Sequence, residues 1–352
     1  MRLIKVVLYI LICSGICAKT YAQCDIGQFE LELIECELIF KEAPFKQCHA
    51  SSLVELSDGR IMAVWFGGTY ERHPDVCVWG SVKNEEGWSN PEILADGIVN
   101  DSLRYPCWNP VLFKNRKGEI FPFYKVGPSP SEWWGVFKKS DDNGNTWSIQ
   151  KELPNDLIGP AKNKPIYLSS GRIVSPSSTE RGSIWNCHVE ISDDDGYSWS
   201  KIHLDTSTNY KLIQPALLTL ANGNILALMR SDQNCLVESI SKDQGVTWSE
   251  PKKTNVPNPN SGIDALSLSN GLHVLVNNPA LSGNEWYTGR NKLNILVSSD
   301  GTTWYDVLNL EDQESGEYSY PAIIESSDGL IHITYTYDRK NIKFVSLKLK
   351  IS

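Results

Sequence analysis

One short grammar, written six times, constrains this chain more than anything else in it. An apolar run meets a glycine turn, and a second apolar strand follows. It reads LVELSDGRIMAVWF at 53–66, PVLFKNRKGEIFPFYKV at 110–126 and PIYLSSGRIVSPSS at 165–178. It returns as PALLTLANGNILALMRS at 215–231, DALSLSNGLHVLVNN at 264–278 and PAIIESSDGLIHITYTY at 321–337. The turn glycines are Gly59, Gly118, Gly171, Gly223, Gly271 and Gly329, a period of about fifty residues. Aliphatic and β-branched residues on either side of such turns specify β-hairpins.

A second motif runs in phase with the first. SDDNGNTW (140–147), SDDDGYSW (192–199) and SKDQGVTW (241–248) share one form, SSDGTTW (298–304) is one residue shorter, and NEEGW (84–88) is a decayed version. These are Asp-boxes. The Asp accepts backbone N–H bonds inside the turn, the Gly takes a positive φ, and the Trp packs between neighbouring sheets. They join outer strands and do no chemistry. Six such units, each a four-stranded sheet, predict an all-β fold: a six-bladed β-propeller in one domain, 23–352. FELELIECELIF (29–40) is expected to supply an outer strand that closes the ring with the last blade.

The first 22 residues read as a secretory signal. Arg2 and Lys5 precede an apolar stretch from Val6 to Ala18, and Thr20-Tyr21-Ala22 ends it with a small residue. The stretch is short for a membrane span, so the expectation is a secreted or periplasmic protein. Acylation at Cys17 or Cys24 is the alternative. Seven Cys follow the signal, an odd number, with no metal-binding spacing; small buried hydrophobes and at most one disulfide are expected. Net charge is −9, which argues against phosphate backbones as partners. No metal or cofactor site is legible, and a monomer is expected. Twelve Trp and fourteen Tyr suit β-structure or carbohydrate stacking.

In a propeller the first strand of each blade lines the axis, and the residues just before it converge on one mouth. Those residues are His49, Trp108-Asn109, Lys162 to Lys164, Gln214, Asn260 to Asp264, and Tyr320. Together they form a polar cup, with Arg104, Arg230, Arg290 and Arg339 nearby in sequence. Trp133 and Trp134 are sugar-platform candidates.

Six hairpins with Asp-boxes resemble the sialidase (neuraminidase) superfamily over nearly all of the chain after residue 22. The resemblance implies three arginines on a sugar carboxylate, a Tyr nucleophile paired with a Glu, and an Asp acid/base. Tyr320, eight residues before Asp328-Gly329, matches the nucleophile. Arg230 in ALMRSDQNC and Arg290 in GRNKLNILVSSDG match two arginines, and Asp75 in FGGTYERHPDV matches the acid/base, with Glu71 as rival. Asn109, Lys164, Trp134, Asn260, Asp264, Arg104 and Arg339 are further substrate-binding candidates. Two positions depart: His49 stands where the first arginine belongs, and Gln214 where the Glu belongs. Glu317, Glu180 or Glu190 could substitute for that Glu. The implied function is an exo-glycosidase releasing a terminal acidic sugar. The alternatives are a non-catalytic carbohydrate-binding propeller, or a lyase or inverting glycosidase on uronic-acid glycans using His49 and Tyr320 as acid and base.

Overall fold

A computed structural model describes residues 29–204, 210–285 and 287–351. The signal segment and Cys24 lie outside the described residues. Six antiparallel sheets follow one another around a ring, and the described residues contain no helix. The first blade runs from Gln47–Glu55 through Ile61–Gly68 to Cys77–Asn84, edged by Gly87–Trp88 and Glu92–Ala95. The second to fifth begin at Cys107–Lys114, Ile166–Tyr167, Leu212–Thr219 and Asp264–Ser267. The sixth runs Tyr318–Glu325, Leu330–Tyr337, Asn341–Ile351, and its fourth strand is Phe29–Leu38 from the other end of the chain. That pairing makes the ring continuous, as the sequence led us to expect. Lys83 of the first blade reaches Glu35 and Glu37 of this strand, at 2.8 and 2.7 Å, and fastens the seam.

The core lies between blades. The middle strands bury alternate residues against both neighbours, as in the cluster joining Val54, Met62 and Val64 to Leu112, Ile120 and Tyr124. The Asp-box tryptophans fill the outer ends of these seams. Trp147, Trp248 and Trp304 pack on the clusters of successive interfaces, and Trp199 meets Phe123 of the preceding blade edge-on. In each of the three full boxes the Asp holds the turn closed: Asp194 accepts from Ser198 N at 2.8 Å and Ser198 Oγ at 2.6 Å. Cys48, Cys77, Cys107, Cys187 and Cys235 are free thiols.

The inner strands carry one further regularity. The pairing of strands one and two slips at His49/Ser52, Ile213/Ala216 and Ser319/Ala322, and at Phe123/Lys125 opposite Asn109. Each slip is a β-bulge at the mouth end. The bulged residues Ala50, Asn109, Gln214 and Tyr320 all have φ between 36° and 54°. Such backbone is rare for a bulky residue. In three of the four, proline follows (Pro110, Pro215, Pro321), so the bulge leaves no orphan N–H there. A bulge re-aims a side chain, and here it turns Gln214 and Tyr320 toward the mouth.

Candidate functional site

The mouth opens into a cavity of about 950 Å³. Tyr320 sits on its floor. Arg230 Nη1 donates to the Tyr320 hydroxyl at 2.8 Å and to Gln214 Oε1 at 3.0 Å. Arg230 Nε donates to Asn260 Oδ1 at 2.9 Å, and Nη2 to the Asn260 carbonyl. The guanidinium carbons of Arg230 and Arg290 lie 5.6 and 5.5 Å from the centre of the Tyr320 ring. Three groups far apart in sequence therefore surround one anion-sized space.

A third guanidinium completes the set. Arg339 stands in the turn after Leu330–Tyr337, where Asp338 and Arg339 both have positive φ (51° and 53°). It lines the cavity beside Arg290. Glu317 bridges the two from behind, accepting from Arg290 Nη1 at 3.0 Å and Arg339 Nε at 2.7 Å. Glu71 accepts from Arg339 Nη1 at 2.5 Å on the cavity side. Burial raises the Glu317 pKa, but Arg339 and Arg290 outweigh it and hold the carboxyl below its ordinary range. It is a fixed counter-ion, not a base for Tyr320.

His49 does not take the place of an arginine in the cavity. It is buried beneath Tyr320, ring centroids 4.1 Å apart. Arg339 can only donate, so the Nε2 facing it at 3.4 Å is the acceptor, and Nδ1–H points at Thr336 Oγ1, 2.9 Å away. Burial, then the charges of Arg339, Arg290, Lys162 and Arg230, drive its pKa well below 6.5. A neutral, enclosed imidazole does not serve the acid or base role that the lyase alternative required. Its small ring leaves the space that Arg339 enters from the sixth blade.

Other sequence candidates fall away from the cavity. Asp75 accepts from Thr69 N at 2.9 Å and Thr69 Oγ1 at 2.5 Å, and pairs with His73. Burial raises its pKa, but these bonds prevail and lower it. It staples the 69–75 loop and leaves Tyr70, Glu71 and Arg72 of that loop on the cavity wall. Arg104 donates to the Asp75 carbonyl and Cys77 Sγ behind the same loop. Asn109 donates to the Ala161 carbonyl at 3.0 Å and ties two blades. Lys164 and Asp264 pair with each other at 2.9 Å, and Asp264 also accepts from Ile323 N. Trp134 packs edge-on against Tyr105, in the segment that leads into the same blade. Glu190 is buried and accepts from Ile158 N and Gly159 N. Of the substitute carboxylates only Glu180 lines the cavity.

Sequence reading named Glu180 but passed over Trp185 on the same hairpin, and the 282–285 loop, both of which line the cavity. The signal for the first was present. The pair Ile173–Arg181 and Ile184–Ser192 is extended, while its inner strand Ile166–Tyr167 is cut to two residues.

Comparison with known proteins agrees with this fold. A family model described as "BNR repeat-like domain" matches residues 59–333. The chain is 28% identical over 251 residues to an anhydrosialidase from Macrobdella decora, covering 64% of this chain and 31% of that protein. It is 27% identical over 210 residues to a sialidase from Paraclostridium sordellii, covering 49% of this chain and 50% of that one. The chain thus spans half or less of these two relatives. A Hadza microbial sialidase superposes with a TM-score of 0.72 at 17% identity, over 86% of this chain and 66% of that one, a likeness of fold.

Proposed function

The chain belongs to the sialidase-like BNR repeat family, and on that premise we propose that it is a glycoside hydrolase releasing a terminal 2-keto acid sugar, sialic acid or a close relative. The observation that carries the reading is the three-guanidinium cluster around Tyr320. Arg230, Arg290 and Arg339 present a cationic cluster to the cavity, with Glu71 and Glu317 beside it. A substrate carboxylate pairs with this cluster through charge-assisted bonds. That seats the anomeric carbon, which bears the carboxylate in a 2-keto acid sugar, next to the Tyr320 oxygen. A neutral phenol approaches such a carbon with less repulsion than a carboxylate nucleophile, and Arg230 stabilises the charge the oxygen gains. The leading segment 1–22 supports export of the enzyme to its glycan substrates.

The test is turnover of aryl and glycan sialosides, and of related 2-keto acid and uronic glycosides, by wild type and Tyr320→Phe. Loss of turnover in the variant, with a covalent sugar adduct on Tyr320 in the wild type by mass spectrometry, supports the reading. Equal activity of the two proteins removes the nucleophile.

One observation favours a second reading, a carbohydrate-binding propeller without catalysis. Gln214, which touches Arg230 beside the phenol, cannot accept a proton. Binding on a glycan array with no product from any bound glycan supports that reading instead.

A further inference from the structure

We propose that Glu180 is the proton donor to the leaving oxygen and the base for the incoming water. The assignment rests on the glycosidase reading above. Four carboxylates line the cavity: Glu71, Glu180, Asp232 and Glu285. Glu71 is held by Arg339, Asp232 accepts from Lys211 N and Gln233 Nε2, and Glu285 is exposed on a loop. Glu180 is half-buried and takes no hydrogen bond from another described residue.

Strand periodicity fixes where Glu180 points. Ser178 Oγ accepts from Gln214 N at 3.1 Å, so that face of the strand meets the fourth blade. Side chains two apart share a face, which sets Glu180 one step nearer the mouth, above Gln214 and Arg230. Trp185 pairs with Glu180 across the hairpin and also lines the cavity. A sugar whose carboxylate is held on the floor directs its leaving group outward, past this hairpin. Glu180 faces Arg230 on the next blade and the Cys187 thiol on its own sheet, while Lys211 lies over Trp185 at 5.7 Å. Burial raises its carboxyl pKa against the pull of Arg230, which suits an acid working near neutrality.

The steps balance. The Tyr320 oxygen bonds to the anomeric carbon as the glycosidic C–O bond breaks. The leaving oxygen takes the Glu180 proton, and the phenolic proton passes to cavity water. Water then attacks the same carbon and gives a proton to the Glu180 carboxylate. The Tyr320 oxygen departs with the bonding pair and recovers a proton from water.

An acid at the leaving group matters most when that group is a poor one. Glu180→Gln is expected to lose at least about 10²-fold in kcat/KM on a sialyl oligosaccharide, and less than about 10-fold on an aryl sialoside with an acidic phenol. The alkaline limb of the wild-type pH profile disappears with it. Glu180→Asp, folded and with part of the activity, guards against a folding defect in the Gln variant. Equal losses on both substrates, or an unchanged pH profile, overturn the assignment while leaving the glycosidase reading intact. A wild type inert on every 2-keto acid glycoside overturns both.

Discussion

The two ends of the repeat use the same backbone device for opposite purposes. At the outer rim, Asn143, Asp195 and Gln244 take a left-handed conformation, each just before an Asp-box glycine. These three boxes then close with the same bonds, and the residue identities hardly matter beyond Ser, Asp, Gly, the Thr or Ser that donates to the Asp, and Trp. At the mouth, Ala50, Asn109, Gln214 and Tyr320 are also left-handed. Each comes from a bulge at an equivalent place, yet no two are alike in what they touch. Repetition with constant chemistry marks scaffold; repetition of the bend with divergent side chains marks a site. A non-glycine residue held in such backbone costs on the order of 1–3 kcal/mol. The mouth spends this on aiming Tyr320 and Gln214, whereas the rim has a glycine beside each strained position.

The contrast breaks most sharply at Tyr320. Replacing it by Phe keeps the ring on His49 and removes one hydroxyl. Activity is expected to fall by at least about 10³-fold, while the thermal midpoint moves little because one hydrogen bond is lost. A large fall in melting temperature with activity retained makes Tyr320 a scaffold residue like those of the rim. Next is Arg230→Lys, which keeps the charge and loses the fork that holds Gln214, Asn260 and Tyr320 together. Charged hydrogen bonds of about 2–3 kcal/mol correspond to roughly a 10²-fold loss in kcat/KM. If Lys serves equally well, only point charge matters there and the planar geometry does not.

The rim gives the opposite result. Asp300 accepts from Thr302 N at 2.8 Å and Thr303 N at 2.7 Å inside its turn. Asp300→Ala is expected to cost about 1–2 kcal/mol of stability and to leave KM unchanged. A shift in KM without loss of stability joins rim and mouth into one functional unit.

The same contrast explains what was legible in the sequence. Asp-boxes and turn glycines are local: the residues that bond are within a few positions of each other, so blade number and ring closure could be read directly. The mouth is not local. Tyr320, Arg230 and Arg290 were found through the family resemblance, whose motifs sit at a set distance from nearby turns. The partners of Arg339 are 22 and 268 residues away, and no sequence separation points to them. Asp75 misled because its neighbours Thr69 and His73, equally local, absorb it into a turn. Asp264 and Lys164 misled because a charged residue at a strand entrance can face a neighbouring blade as well as the cavity.

Rim and interior differ also in where charge is placed. The box aspartates keep theirs near solvent, but Lys125 of the second blade is fully buried, with Nζ donating to the Pro160 carbonyl. Burial, partly offset by Glu190, lowers its pKa from 10.5 to about 7. The folded chain therefore releases this proton near pH 7, while the unfolded chain keeps it until about pH 10.5. The unfolded state binds more protons across that window, so this lysine makes stability rise with pH there. Lys125→Met, similar in length and without charge, should flatten the rise of melting temperature between pH 7 and 10 and leave the acid side unchanged. Lys162, also buried and lowered to about 8, remains in the variant and keeps part of the slope. An identical slope in both proteins means that Lys125 stays protonated in the fold, supported by Pro160 and Glu190 more strongly than burial opposes it.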